Sequence, residues 1–361
     1  MDGELTRGQG PTPKDRGYQL PAEWAPHEAT WLSWPNFSTI CYPFGLRALH
    51  LEMLELIRIL CQGEKVYLNI ALEEEADWIL GPLDTETRNR LEFFQIPTCE
   101  PWNRDLAPTF LVQPEEARLG AVDWEFNSWG EKFHTPYLDT VSKGRMAAAV
   151  NAEHFLPPLS LEGGALETDG EGTILSAASA VDDPHRNPGL NRRAIDRILM
   201  DYCCAEKVLW LEEGMLEDET DGHIDTLARF IAPGRVALVT DSMDPRFGPE
   251  ILQRNYQQLA KARDAQGRQL EIVELPPAQP FDCLERITPV THANFYIGNT
   301  HVLVPAYGVA WDERARDILK EQFPDREVVL VSCPHIAVGL GGIHCLTQQV
   351  PALVNSTSFT R

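Results

Sequence analysis

The sequence predicts an α/β protein, on three observations. Short runs rich in Val, Ile and Leu recur along the chain, each bounded by polar residues, Gly or Pro, as strands are. Between them lie longer segments whose apolar residues return every three or four positions, the spacing of a helix with one buried face. The two kinds alternate with no low-complexity linker, which favours a single domain over residues 18–361. Residues 1–17, polar and broken by proline, read as a flexible tail.

In chain order, "LRALHLEMLELIRIL" (46–60) reads as a helix burying Leu49, Met53, Leu56 and Leu60. "KVYLNIAL" (65–72) and "GTILSAASA" (172–180) are strands. "NRRAIDRILMDY" (191–202) follows "NPG" and is a helix capped by Asn191. The strands "KVLWL" (207–211) and "GRVALVT" (234–240) precede "PEILQRNYQQLAKAR" (249–263), a helix with proline in its first turn, where proline is permitted. "QLEIVEL" (269–275) and "THVLVPA" (300–306) are strands, "DERARDILKEQF" (312–323) a helix capped by Asp312, and "REVVLVSC" (326–333) a strand. The residues show no repeat and do not order the strands.

Charge narrows the function. With 54 acidic against 31 basic side chains the net charge is −23. That excludes a general nucleic-acid binder, which needs a basic face, and modestly favours cationic ligands. Eight cysteines are scattered with no C-x-x-C pair, so neither a zinc ribbon nor a thioredoxin-type redox pair is indicated. No apolar run reaches membrane-spanning length and the N-terminus has no signal-peptide core. The expectation is a cytoplasmic protein with reduced thiols.

Four stretches concentrate chemistry: "EPWNRDLAPTF" (100–110), "LEGGALETDGEGT" (161–173), "EDETDGHIDTLARF" (217–230) and "GLGGIHCLTQQ" (339–349). Taken singly, each has a plain reading. "WNRD" is commonly a surface turn with a local ion pair, and Gly-Gly commonly marks a turn. Aligned as an EF-hand, the acidic stretch places Ala228 where a glutamate is required, so calcium is excluded there. "GLGGIH" lacks the order of a dinucleotide-binding loop. No zinc-type ligand spacing occurs, so no metal is expected. In an extended segment His223 and Asp225 would project from one side.

Together the stretches supply a cysteine, a histidine and several carboxylates. Cysteine and histidine make a nucleophile and a general acid/base. Carboxylates beside them raise a thiol's pKa, which is a handicap unless the substrate is itself a cation. A guanidinium, planar, permanently charged and matched by bidentate carboxylates, resolves the conflict.

From about residue 18 the chain resembles the agmatine deiminase family, grouped with bacterial peptidylarginine deiminases. The resemblance is carried by "PAEWAPHEATWLSWP" (21–35), "WNRDLAPTF" (102–110), "DWEFNSWGEK" (123–132), "LEGGALETDGEGTIL" (161–175) and "NPGLN" (187–191). It continues in "DETDGHIDTLARFIAPGRV" (218–236), "NFYIGNTHVLVPAYG" (294–308) and "GGIHCLTQQVPA" (341–352). It implies a pentein fold, a five-bladed α/β propeller of ββαβ units. It also implies hydrolysis of agmatine to N-carbamoylputrescine and ammonia, a step toward putrescine, through a thiouronium on cysteine and without metal or organic cofactor. By motif position Cys345 is the nucleophile, His223 the general acid/base, and Asp105, Glu162 and Asp225 the guanidinium-binding carboxylates.

Trp102, three residues before Asp105, is the expected aromatic wall, with Trp31, Trp34 and Trp129 as further candidates. The chain departs from the family pattern at Ala165 ("EGGA" for "EGGN"), at Ala107 (for a glycine) and over residues 36–45. Other readings are a deiminase of peptidyl or free arginine and a catalytically silent guanidine-binding protein. The expected partner is a small cationic guanidino compound, without nucleic acid or membrane, and a homo-oligomer is compatible with the reading.

Overall fold

The computed structural model describes residues 6–36, 46–134, 136–283 and 286–353. Most of the 36–45 segment, singled out above as a departure, lies outside them. The strands of the first half are β1 (His27–Ser33), β2 (Lys65–Asn69), β3 (Leu91–Phe94), β4 (Thr109–Gln113), β5 (Arg118–Val122), β6 (Glu153–Phe155), β7 (Glu167–Thr168), β8 (Thr173–Ala177) and β9 (Lys207–Leu211). Those of the second are β10 (Ala228–Ala232), β11 (Arg235–Val239), β12 (Glu271–Leu275), β13 (Gln279–Cys283), β14 (Arg286–Val290), β15 (Tyr296–Ile297), β16 (His301–Ala306), β17 (Glu327–Ser332) and β18 (Gln348–Pro351).

Apart from the β13–β14 hairpin, the strands form five sheets of one pattern: an antiparallel pair, then a parallel partner. The triples are β4-β5-β6, β7-β8-β9, β10-β11-β12 and β15-β16-β17. The fifth joins the chain's two ends: β18 pairs antiparallel with β1, which pairs parallel with β2, and β3 is added outside. A parallel pair needs a long crossover, and each of the five contains a helix. These are Arg47–Leu60, Tyr137–Ala149, Arg192–Tyr202, Pro249–Leu259 and Asp312–Gln322. The repeat is one of pairing pattern and connection, which is why the residues did not reveal it.

The helix over 46–60 forms as Arg47–Leu60 and buries Leu49, Met53, Leu56 and Leu60. Asn191 caps the next, its side chain accepting from the Ala194 amide. Asp312 is not a cap. Trp311 holds that position, and Asp312 lies inside the helix, accepting from the Gly308 and Val309 amides and from His292. The helix Tyr137–Ala149 was not anticipated because it buries Asp139, Ser142 and Lys143, so no apolar stripe marks it. Residues 6–17 are not loose. The Gly8 amide donates to Leu156 O at 2.7 Å, Arg7 to Asp123 O at 2.6 Å and Lys14 to Ala205 O at 2.7 Å, using backbone acceptors no composition argument can see.

Candidate active site

The segment that enters the first strand of every sheet carries a polar residue to a common centre. Asp105 lies in the short helix Asn103–Leu106 before β4, and Glu162 precedes the 3-10 turn Gly163–Ala165 before β7. His223 and Asp225 belong to the 3-10 turn Ile224–Thr226 before β10, so the extended geometry expected for them is replaced by a tight turn. Cys345 sits in the helix Ile343–Leu346 before β18, and Asn294 stands just before β15. "WNRD" is therefore a buried helical turn rather than a surface one. Arg104 pairs with Glu23 at 3.3 Å and Gln349 at 2.9 Å, not with its neighbour Asp105.

The two glycine pairs let these segments meet. A Cβ on Gly164 would collide with His223 Nδ1, and one on Gly163 with Arg104 O. A Cβ on Gly341 would stand 2.5 Å from the Trp102 ring, and one on Gly342 2.5 Å from Asn294 Oδ1. The pairs are there for close approach, not to make plain turns.

Glu162 is already gripped: Arg186 Nε donates to both of its oxygens at 3.0 Å, and His223 Nε2 lies 3.4 Å away. Burial opposes its charge, but Arg186 and His223 lower its pKa to about 2. Burial also opposes a charged His223, yet Asp105, Glu162 and Asp225 outweigh it and raise the imidazole to about 9. His223 is thus an imidazolium at neutral pH, with Nδ1 4.0 Å from Asp105 Oδ1.

Asp105 accepts from Trp129 Nε1 at 2.9 Å and from the Gly164 amide at 3.0 Å. Burial raises its pKa, His223 opposing and Glu162 adding to the rise. Asp225 Oδ2 faces His344 Nδ1 at 2.7 Å, which holds its carboxyl below the usual range against burial. Its buried Oδ1 has no hydrogen-bond partner among the described residues. Cys345 Sγ is 3.7 Å from Asp225 Oδ2 and 3.2 Å from Asn294 Nδ2. Burial, then Asp225 and Asp105, push the thiol well above its ordinary value.

Cys345 and Asp105 open on a cavity of about 410 Å³ walled by Trp102, Trp129, Phe133, Glu219 and the Gly339–Gly341 backbone. Trp102 and Trp129 are the aromatic walls. Trp31 instead packs in the core on Phe94 and Phe110, and Trp34 stacks on His50. Ala107 and Ala165 are buried in apolar clusters away from this lining, so those departures lie behind the site. A second cavity of about 440 Å³ lies across Leu340 and Gly341, walled in part by Thr226, Thr291 and Asn294.

All five expected residues, Cys345, His223, Glu162, Asp225 and Asp105, meet here. Sequence reasoning missed Arg186, His344, Glu23 and Asn294. Glu23 lies in "PAEWAPHEATW" and Asn294 opens "NFYIGNTHV", both quoted above only for resemblance. Arg186 carried no local signal.

Five like-patterned α/β sheets around a half-buried thiol, a buried imidazolium and buried carboxylates are the frame of a deiminase-type enzyme. The chain belongs to the Porphyromonas-type peptidyl-arginine deiminase family, whose model matches residues 19–351. A Legionella pneumophila (strain Paris) protein, named provisionally as an agmatine deiminase, is 36% identical over 94% of this chain and 97% of its own. The structure of the Enterococcus faecalis agmatine deiminase matches with a TM-score of 0.87 at 29% identity, over 97% of this chain and all of that one (100%). A Porphyromonas gingivalis structure, named provisionally as an arginine deiminase, matches with a TM-score of 0.83 at 33% identity, over 92% and 98%.

Proposed function

We propose that the protein is a deiminase of agmatine, giving N-carbamoylputrescine and ammonia through a covalent thiouronium on Cys345. One observation carries the reading. The cavity joins the Cys345 thiol to two acids, Asp105 and Glu219, and among the described residues lining it there is no lysine or arginine. Agmatine is a cation at both ends, so this wall suits it. The α-carboxylate of free arginine would be left without a cationic partner, a costly arrangement when desolvated.

Asp105 and the unpartnered Asp225 Oδ1 grip the guanidinium, holding its carbon at Cys345 Sγ. Glu162, neutralised by Arg186, orients His223 instead of binding substrate. The bound cation offsets the carboxylates that disfavour the thiolate, so the nucleophile forms when substrate arrives. The thiolate adds to the guanidinium carbon, and the His223 imidazolium protonates the departing nitrogen, which leaves as ammonia. Neutral His223 then takes a proton from water, whose oxygen adds to the thiouronium carbon. The hydroxyl proton passes to the departing sulfur, which restores the thiol and leaves the ureido product.

The repeated sheets and the contacts among their five entry segments support a pentein-type five-bladed propeller with this site at its axis. Ammonia release from agmatine, free arginine and a blocked peptidyl-arginine, measured side by side, tests the function. Agmatine should be turned over best. Turnover of arginine alone would replace the substrate, and turnover of none would leave a silent binder.

A further inference from the structure

Four of the five sheets deliver the residues used above: Asp105 before β4, Glu162 before β7, His223 and Asp225 before β10, and Cys345 before β18. The fifth, entered at β15, delivers Asn294, whose side chain is 3% exposed. Its Oδ1 accepts from the Cys345 amide at 3.3 Å, and its Nδ2 donates to Asp225 O at 3.4 Å and to Cys345 Sγ at 3.2 Å. The His344 amide donates to Asn294 O at 3.1 Å.

The orientation of an Asn amide is set by its partners. Here one partner is a backbone N–H, which demands the oxygen, and another is a backbone carbonyl, which demands the NH2. Turning the amide over would set two donors and two acceptors against each other. The sulfur therefore always faces a donor. Opposed groups act on that sulfur: Asp225 Oδ2 at 3.7 Å accepts from the thiol, whereas Asn294 Nδ2 and the Gly342 amide favour the thiolate. Of the two donors, Asn294 Nδ2 is the one a side-chain substitution can remove.

We propose that Asn294 is a catalytic residue of this site, its side-chain amide stabilising the Cys345 thiolate on attack and again as the sulfur departs. The assignment rests on the cysteine chemistry proposed above but is read by a measurement that needs no substrate. Iodoacetamide modification of Cys345 is followed as the labelled peptide by mass spectrometry across about pH 7–10, in wild type and in Asn294→Ala, Asn294→Leu and Asn294→Asp. A hydrogen bond to a charged group contributes about a factor of ten or more. The rising limb should therefore move up by about one pH unit in the Ala and Leu variants, and further in Asn294→Asp, which keeps the acceptor for the Cys345 amide but loses the donor. In step, kcat on agmatine should fall about tenfold or more, while agmatine affinity in a Cys345→Ser background changes less than about threefold.

A limb that stays in place in all three variants overturns the assignment, whatever happens to turnover. If the limb moves but wild type releases no ammonia from any guanidine, the deiminase reading fails and the role of Asn294 at the sulfur stands.

Discussion

Two buried charge clusters lie side by side and are built on opposite terms. In one, Glu23 accepts from Arg104 at 3.3 Å, Arg229 at 2.7 Å and the Ile297 amide at 2.8 Å, while Arg229 also binds Glu167. Two carboxylates face two guanidinium groups and the charges close. In the other, Asp105, Glu162 and Asp225 lie among Arg186, the His223 imidazolium and His344, and Arg186 is shared with Asp221. His344 joins the clusters, with Nδ1 on Asp225 at 2.7 Å and Nε2 on Glu23 at 2.8 Å. The comparison teaches that burial of acids is not the signature of the site. Its signature is the acid oxygen left without a hydrogen-bond partner among the described residues, Asp225 Oδ1, beside the Cys345 thiol.

The largest effect should come from the sulfur. Cys345→Ser is expected to lower turnover at least about 10⁴-fold, as loss of a covalent nucleophile does, with a melting temperature close to wild type. Near-normal ammonia release from that variant would remove the covalent mechanism. The balanced cluster should behave in the reverse way. Arg229→Met strands Glu23 and Glu167, and breaking a buried pair costs about 3–5 kcal/mol, so the loss should appear in the denaturant midpoint. If Arg229→Met leaves the midpoint unchanged, the two clusters do not differ as described.

Asp105→Asn and Asp225→Asn should weaken agmatine binding by about 2–5 kcal/mol, the cost of truncating one side of a desolvated charge pair. Calorimetry in the Cys345→Ser background measures this, and unchanged affinity in both means that those carboxylates do not hold the cation. A smaller effect separates substrates. kcat/KM for agmatine should exceed that for arginine by at least about 100-fold, and equal rates would show that the acidic wall does not select.

The smallest effects follow pH. The His223 pKa is raised from 6.5 to about 9, so the stabilisation from its charge is complete below 6.5 and is lost as pH rises through about 9. The Glu162 pKa is lowered from 4.5 to about 2, so its contribution is present above 4.5 and is lost as pH falls through about 2. Thermal unfolding across both windows should show the two declines. Their absence in His223→Gln above neutral pH, and in Arg186→Gln at the acid end, would assign them.

The sequence made legible those parts whose physics is local. The stripe of Leu49, Met53, Leu56 and Leu60 and the Asn191 cap depend on neighbours a few residues away. The five candidate positions were found because cysteine, histidine and carboxylates are chemically conspicuous. Arg186, His344 and Asn294 were not, because each acts through residues brought to it by folding: Arg186 binds Glu162, and Asn294 binds a cysteine 51 positions away. Likewise, nothing near Glu162 in the chain announces the arginine that binds it.

The pairing of β18 with β1 sets Trp31 opposite Gln348, and Cys345 lies on the short approach to that strand. Cys345 is therefore placed by a contact between residues near opposite ends of the described chain, of the kind that forms slowly because so much chain must first be gathered. During synthesis the carboxylates and His223 leave the ribosome well before the thiol. A partly made chain therefore carries those charged groups without the sulfur. Timing of this sort would shield the thiol from alkylation or misplaced chemistry until the seam closes.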